Sequence, residues 1–146
     1  MNDKELGIIL GFPRVFHVFM RKMMHDFQTT QEDLSLNPTQ RRTLLIIHDR
    51  GEMTMTALHQ IIGLEKGSLT AVIDQLIRKG LVKRERDQKD RRRVNISLSE
   101  TGKKKVKILR MEIADHIRKN LERLPPEDRK RFYRTVESLI DIGRKL

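Results

Sequence analysis

The sequence predicts a mainly α-helical chain with one small β-hairpin, an α+β arrangement in which a helix-turn-helix and its hairpin lie between longer terminal helices. Three observations carry that prediction. Apolar residues recur at steps of three and four over residues 6–28, 99–123 and 126–143, the repeat of amphipathic helices. Two short helical stretches meet at Gly63-Leu64, the spacing of a helix-turn-helix. Strand-length runs at 82–86 and 94–98 follow at once and enclose a polar segment, the pattern of a hairpin.

Each element has its own local reason. In residues 6–28, Phe12, Phe16, Phe19, Met20, Met23 and Phe27 form one stripe, interrupted early by Pro13, which removes a backbone donor. This stripe reads as core or subunit interface, with the wall of a hydrophobic ligand site as the alternative. Residues 28–35 are polar and read as a connector. Asn37 can cap the next helix, Pro38 suits its first turn and Gln40 stands three residues after the cap; Leu44, Leu45, Ile47 and His48 follow. Gly51-Glu52-Met53 breaks that helix. Thr54 can cap a short one carrying Met55, Leu58, Ile61 and Ile62 that stops at Gly63, a residue free to turn left-handed. A third helix, from about Lys66 to Lys79, places Leu69, Val72, Ile73, Leu76 and Ile77 inside and closes at Gly80. Val94, Ile96 and Leu98 alternate inward against Asn95 and Ser97. Ser99 can cap the long helix carrying Val106, Leu109, Ile113, Ile117, Leu121 and Leu124. Leu124-Pro125-Pro126-Glu127-Asp128 then ends it and starts another, with acids where the helix dipole favours them; Phe132, Val136, Leu139, Ile140 and Gly143 share one face of that last helix.

Length and composition narrow the class. A chain of 146 residues, 37% of them hydrophobic, is one ordinary domain or one subunit of an oligomer, and buries enough surface to fold without disulfides. The absence of cysteine excludes thiolate metal sites, thiol redox switches and cysteine nucleophiles. The longest apolar runs, such as Leu44 to Ile47, fall far short of the roughly 18 residues of a membrane span, and Asn2-Asp3-Lys4-Glu5 is no secretory start. The expectation is a cytoplasmic protein with no membrane partner. No spacing of His, Ser and carboxylates suggests catalysis and no glycine loop cradles phosphate, so neither an enzyme nor a cofactor is expected.

The net charge of +11 is concentrated. Residues 1–77 sum to −1, residues 78–110 to +10 and residues 111–146 to +2. A solvated charge run is the plain reading of such a stretch. Here it follows a helix-turn-helix, forms a hairpin and carries Arg91-Arg92-Arg93 at the tip, which makes it a DNA-binding wing.

These residues resemble the multiple antibiotic resistance regulator (MarR) family of winged helix-turn-helix transcription factors. The most specific match is Gly80-Leu81-Val82-Lys83-Arg84 running to Asp87, then Asp90-Arg91-Arg92, Val94, Ile96 and Ser97-Leu98-Ser99-Glu100-Thr101-Gly102. Leu36-Asn37-Pro38-Thr39-Gln40 and the proline-led last helix add weaker support. The resemblance implies a winged helix-turn-helix region at 36–99 within a single subunit of residues 1–146, with helical dimerisation regions at 1–35 and 100–146. It implies a homodimer over a pseudo-palindromic double-stranded DNA operator, most simply a repressor relieved by a small, anionic aromatic effector.

On this reading Lys66, Ser68, Thr70, Ala71 and Gln75 belong to the recognition helix, where hydroxyls and an amine reach phosphates or base edges and Gln75 reads adenine; capping for Ser68 and Thr70, and a solvated face for Gln75, are the plain alternatives. In the wing, Arg84, Lys89, Asp90, Arg91, Arg92 and Arg93 are candidates. By resemblance Arg92 enters the minor groove, Asp90 holds its guanidinium, and Asp74 pairs with Arg84. The candidate effector site is Phe16, Phe19, Met20, Met23, Phe27, Leu44 and His48. Glu65 stands where many relatives have a Ser or Thr cap, Ala71 and Gln75 where many have Arg, and His59 has no functional account. Two alternatives remain: a metal-responsive regulator of the same fold, although His17, His25, His48, His59 and His116 form no i, i+4 pair and no metal site is expected; and a basic protein that binds nucleic acid without sequence choice.

Overall fold

The computed structural model describes residues 2–32, 34–86 and 93–146. In chain order these form α1 (Asp3–Met23), α2 (Pro38–Arg50), β1 (Met53–Thr54), α3 (Met55–Ile62), α4 (Lys66–Arg78), β2 (Val82–Arg86), β3 (Val94–Leu98), α5 (Glu100–Glu122) and α6 (Pro126–Gly143). The chain divides into two compact units, one of Met1–Gln28 with Ile113–Leu146 and one of Thr29–Glu112.

The Thr29–Glu112 unit is built as its local signals dictate. Asn37 and Gln40 form a reciprocal box at the start of α2: Asn37 Oδ1 accepts from the Gln40 backbone N–H at 2.9 Å, and Gln40 Oε1 accepts from the Asn37 N–H at 3.0 Å. Thr54 caps α3 by accepting from the Ala57 N–H at 3.1 Å. Gly63 ends α3 at φ 72°, a left-handed turn that a side chain would strain. The helix-turn-helix is therefore α3 and α4, as expected.

β2 and β3 pair antiparallel with Val82 opposite Leu98 and Arg86 opposite Val94. The sheet has a third strand, which the sequence did not signal: β1 pairs with β3 through Met53–Ile96 and Thr54–Asn95. Two residues are too short for any periodic pattern. Asn95 also donates to Glu52 at 2.8 Å, fastening the turn before β1 to the sheet. The core beneath comprises Leu44, Ile47, Leu58, Leu69, Ile73, Leu76, Ile96, Val106 and Leu109, all buried; each such side chain contributes about 1.5–3 kcal/mol by leaving water.

The first turn of α5 lies directly against the Leu81 backbone. Ser99 donates from its N–H to the Leu81 carbonyl at 3.0 Å and from Oγ to the Gly80 carbonyl at 2.6 Å, and it accepts from the Gly102 N–H at 2.8 Å. A Cβ at Gly102 would sit 2.0 Å from the Leu81 oxygen. Glycine at this position is thus required by close approach. Further along, Glu112 anchors the connector: it accepts from Thr29 Oγ1 at 2.6 Å and from the Thr30 N–H at 2.9 Å, with the Thr30 hydroxyl as a third donor.

In the helical unit α1 runs unbroken through Pro13, so the expected interruption does not occur; the helix loses one internal hydrogen bond there and continues. It ends at Met23 rather than near residue 28, and Phe27 lies beyond it. Phe27 still packs inward, edge-on to His116 at 5.4 Å. Met23 is buried, Asn120 Nδ2 donates to its carbonyl at 2.9 Å, and Phe19 meets Phe132 at 5.2 Å. Large apolar side chains stay in water on the same unit, among them Ile8, Ile9, Leu10, Val15 and Phe16 on α1 and Leu139, Ile140 and Ile142 on α6.

Candidate nucleic-acid interface

α4 presents an exposed stripe. Lys66, Gly67, Ser68, Thr70 and Ala71 are solvent-facing, while Leu69, Ile73 and Leu76 hold the opposite side in the core. Glu65 occupies the N-cap position without a side-chain cap bond. The first turn therefore keeps backbone N–H groups free of a side-chain cap, where an incoming phosphate finds donors. Lys66 and Ser68 stand beside them. Thr70 does not cap the helix: its hydroxyl donates back to the Lys66 carbonyl at 3.0 Å, which leaves its oxygen lone pairs facing out.

Gln75 is tied to α2. It is half-buried, and its Oε1 accepts from Gln40 Nε2 at 2.6 Å. With its oxygen engaged by Gln40, the amide nitrogen is the group of Gln75 left without a partner in that bond.

The root of the hairpin is tied to this helix. Arg84 donates to Asp74 at 2.9 Å, the pairing that the resemblance implied, with both side chains more than a third exposed. Such a pair holds orientation and adds under about 1 kcal/mol of stability. On β2, Lys83 donates to Glu85 at 2.9 Å; that bond and the Glu85 charge raise the Lys83 pKa above its ordinary value. Arg93, the residue before β3, is exposed. Lys89, Asp90, Arg91 and Arg92 lie outside the described residues.

A cleft of about 810 Å³ opens between α3, α4 and the hairpin root, with Thr54, His59, Lys66, Thr70, Arg84 and Arg93 in its lining. Three cations and two hydroxyls converging there suit an anionic group. His59, unexplained from sequence, is a lining residue of this cleft.

The candidate effector residues fall in both units. Met23 and Phe27 are buried within the helical unit, where Phe19 and Met20 are half-buried and Phe16 is exposed; in the other unit Leu44 has 0% exposure. His48 is half-buried next to Asp49 and Arg110: His48 Nδ1 is 3.3 Å from Asp49 Oδ1 and 3.1 Å from Arg110 Nη1, and Arg110 also donates to Asp49. Among the described residues, no group of three His or carboxylate ligands is arranged to hold a metal ion, and no helix is long and apolar enough to cross a membrane.

The fold and the site define a winged helix-turn-helix protein: a helix-turn-helix, a three-stranded sheet whose β2–β3 pair forms the wing, and cations collected at their junction. The MarR family model matches residues 36–94, which places the winged region of the chain in the MarR family. It is 40% identical over 82 residues, 56% of this chain and 53% of the relative, to the uncharacterized HTH-type transcriptional regulator YcgE of Bacillus subtilis. The chain spans roughly half to two thirds of the length of the curated relatives it matches first. Among solved structures, wild-type MarR of E. coli in its apo form superposes with a TM-score of 0.77 at 19% identity, covering 87% of this chain and 95% of that one. BpsR of Bordetella bronchiseptica, whose DNA binding is regulated by 6-hydroxynicotinic acid, superposes with a TM-score of 0.66 at 19% identity, covering 88% and 92%. These two likenesses establish the fold.

Proposed function

We propose that the protein is a homodimeric, sequence-specific DNA-binding transcriptional regulator, a repressor released by a small anionic aromatic compound. The observation that carries this reading is the exposed first half of α4 set beside a wing root that supplies Arg84 and Arg93, with Lys66 on the helix itself. In the complex α4 occupies the major groove, Lys66, Ser68 and Thr70 meet phosphates and base edges, and the wing carries Lys89, Asp90, Arg91 and Arg92 to the neighbouring minor groove.

Two further observations support the finer points. Apolar residues exposed on α1 and α6, such as Leu10 at 71% and Val15 at 66%, form more apolar surface than a monomer ordinarily leaves in water, and a second copy of the chain covers it. Regulation by a nicotinic acid derivative in BpsR supports an effector of the same chemical class. The effector acts through its different affinities for DNA-competent and incompetent dimers. The test is selection of bound fragments from genomic DNA by the purified protein. A shared pseudo-palindromic sequence supports the proposal; equal recovery of all fragments refutes it in favour of binding without sequence choice.

A further inference from the structure

Gln40 and Gln75 form a chain of amides whose orientation is determined from one end. The Asn37 backbone N–H is an unambiguous donor and points at one end of the Gln40 amide at 3.0 Å. That end must be oxygen, so the other end is the amide nitrogen. The nitrogen lies 2.6 Å from Gln75, and a donor there requires the Gln75 oxygen. The nitrogen of Gln75 is thereby turned away from Gln40. Gln40 itself is 5% exposed, so water does not compete for these bonds, and Gln75 follows Ala71 by one helical turn on the recognition helix.

We propose that Gln40 is a specificity-determining residue at one remove: by holding the Gln75 carbonyl, it turns the Gln75 amide nitrogen outward as a donor that favours guanine over adenine and thymine over cytosine. Guanine offers two adjacent acceptors, N7 and O6, in the major groove, and thymine offers one, O4. Adenine places an N6 amino donor where the second acceptor would be, and cytosine presents its N4 amino donor, so an NH₂ group meets a donor in both. Gln40 touches no DNA and acts as a positioning residue through Gln75. The inference rests on the proposed role of α4 in reading DNA.

Gln40→Glu tests it directly. Glutamate preserves the box with Asn37, since Glu and Gln serve equally at this position. Its second oxygen faces Gln75 and forces that amide to rotate, donating inward and presenting its carbonyl outward. Duplexes are selected from a random pool with the wild type, Gln75→Ala and Gln40→Glu, each first checked for an unchanged circular dichroism spectrum and melting transition. Expected is one position in each half-site where the wild type prefers guanine over adenine, or thymine over cytosine, by about five- to tenfold. Gln75→Ala levels that position, and Gln40→Glu turns it toward adenine or cytosine.

If Gln40→Glu does not fold, Gln75→Glu, acceptor-only on the helix surface, is the second variant, and cytosine or adenine at the same position is its expected outcome. A wild-type preference for adenine or cytosine at the position levelled by Gln75→Ala overturns the inference and leaves the DNA-reading function standing. The inference is equally overturned if Gln75→Ala levels no position, or if the folded glutamate variant leaves the preference unchanged. No sequence preference in any protein overturns the proposed function, and this inference with it.

Discussion

Replacing Gly102 by alanine sets local preference against packing, and the two predict opposite signs. Gly102 lies in the first turn of α5, where a helix interior gains up to about 1 kcal/mol from glycine to alanine. The added Cβ would stand 2.0 Å from the Leu81 carbonyl oxygen and 2.9 Å from its carbon. Relief requires α5 and the Leu81 backbone to separate by more than an ångström. That movement breaks the Ser99 N–H bond to Leu81 and the Ser99 Oγ bond to Gly80, at about 1 kcal/mol each, and disturbs Val106 and Leu109 beneath, with roughly 1–3 kcal/mol of strain. The net destabilisation is about 2–4 kcal/mol, or a fall in Tm of about 5–15 °C for a chain of this size. Gly67→Ala, which meets nothing within 4 Å, is the control and leaves Tm unchanged or slightly raised. Thermal melts by circular dichroism read both. A Gly102→Ala protein as stable as the wild type refutes the packing argument.

Arg92→Ala is expected to abolish specific DNA binding while sedimentation still shows a dimer; unchanged affinity contradicts the wing assignment. Asp74→Ala lowers Tm by only a few degrees, because the pair with Arg84 is exposed, yet it weakens DNA binding by freeing Arg84; a fully retained affinity would show that the pair does not position the wing. Burial pushes the Glu112 carboxyl up, but the bonds from Thr29 and Thr30 outweigh it and hold the pKa below the ordinary carboxylate value. Its stabilising contribution is therefore present above the unfolded carboxylate pKa of about 4.3 and is lost as pH falls through the lower folded value. Glu112→Gln should flatten that acid limb of a Tm-against-pH plot, and an identical limb contradicts the assignment. Leu10→Asp, on the exposed face of α1, should yield monomers in sedimentation, and an intact dimer places the interface elsewhere.

Much of the winged region was legible because its signals are local. The Asn37–Gln40 box, the Thr54 cap, the Gly63 stop and the inward alternation of β3 each depend on residues within a few positions of one another. The features missed are those that depend on distance in the chain. β1 exists only because β3, some forty residues on, offers it an edge. Gln75 looked like a free amide since its partner, Gln40, lies on another helix. The same holds for Glu112, whose donors come from the connector. Along α1 the apolar stripe continues to Phe27, but the helix does not: the same burial is reached by a turn after Met23 that brings Phe27 to His116. Periodicity reports which residues go inside and is silent on whether the backbone carries them there as a helix. His59 gained a place only when α3, α4 and the hairpin root were assembled around one cleft.

Whether the protein reads DNA by sequence is decided by fluorescence polarisation of one labelled duplex carrying the selected operator, beside a scrambled duplex of equal length. Sequence-specific reading by α4 and the wing predicts affinity for the operator at least about 10³-fold above the scrambled duplex. With about 6–10 phosphates neutralised by the dimer, affinity for both falls by roughly 10³- to 10⁵-fold between 50 and 200 mM salt. Equal affinity for the two duplexes, or an affinity indifferent to salt, contradicts it.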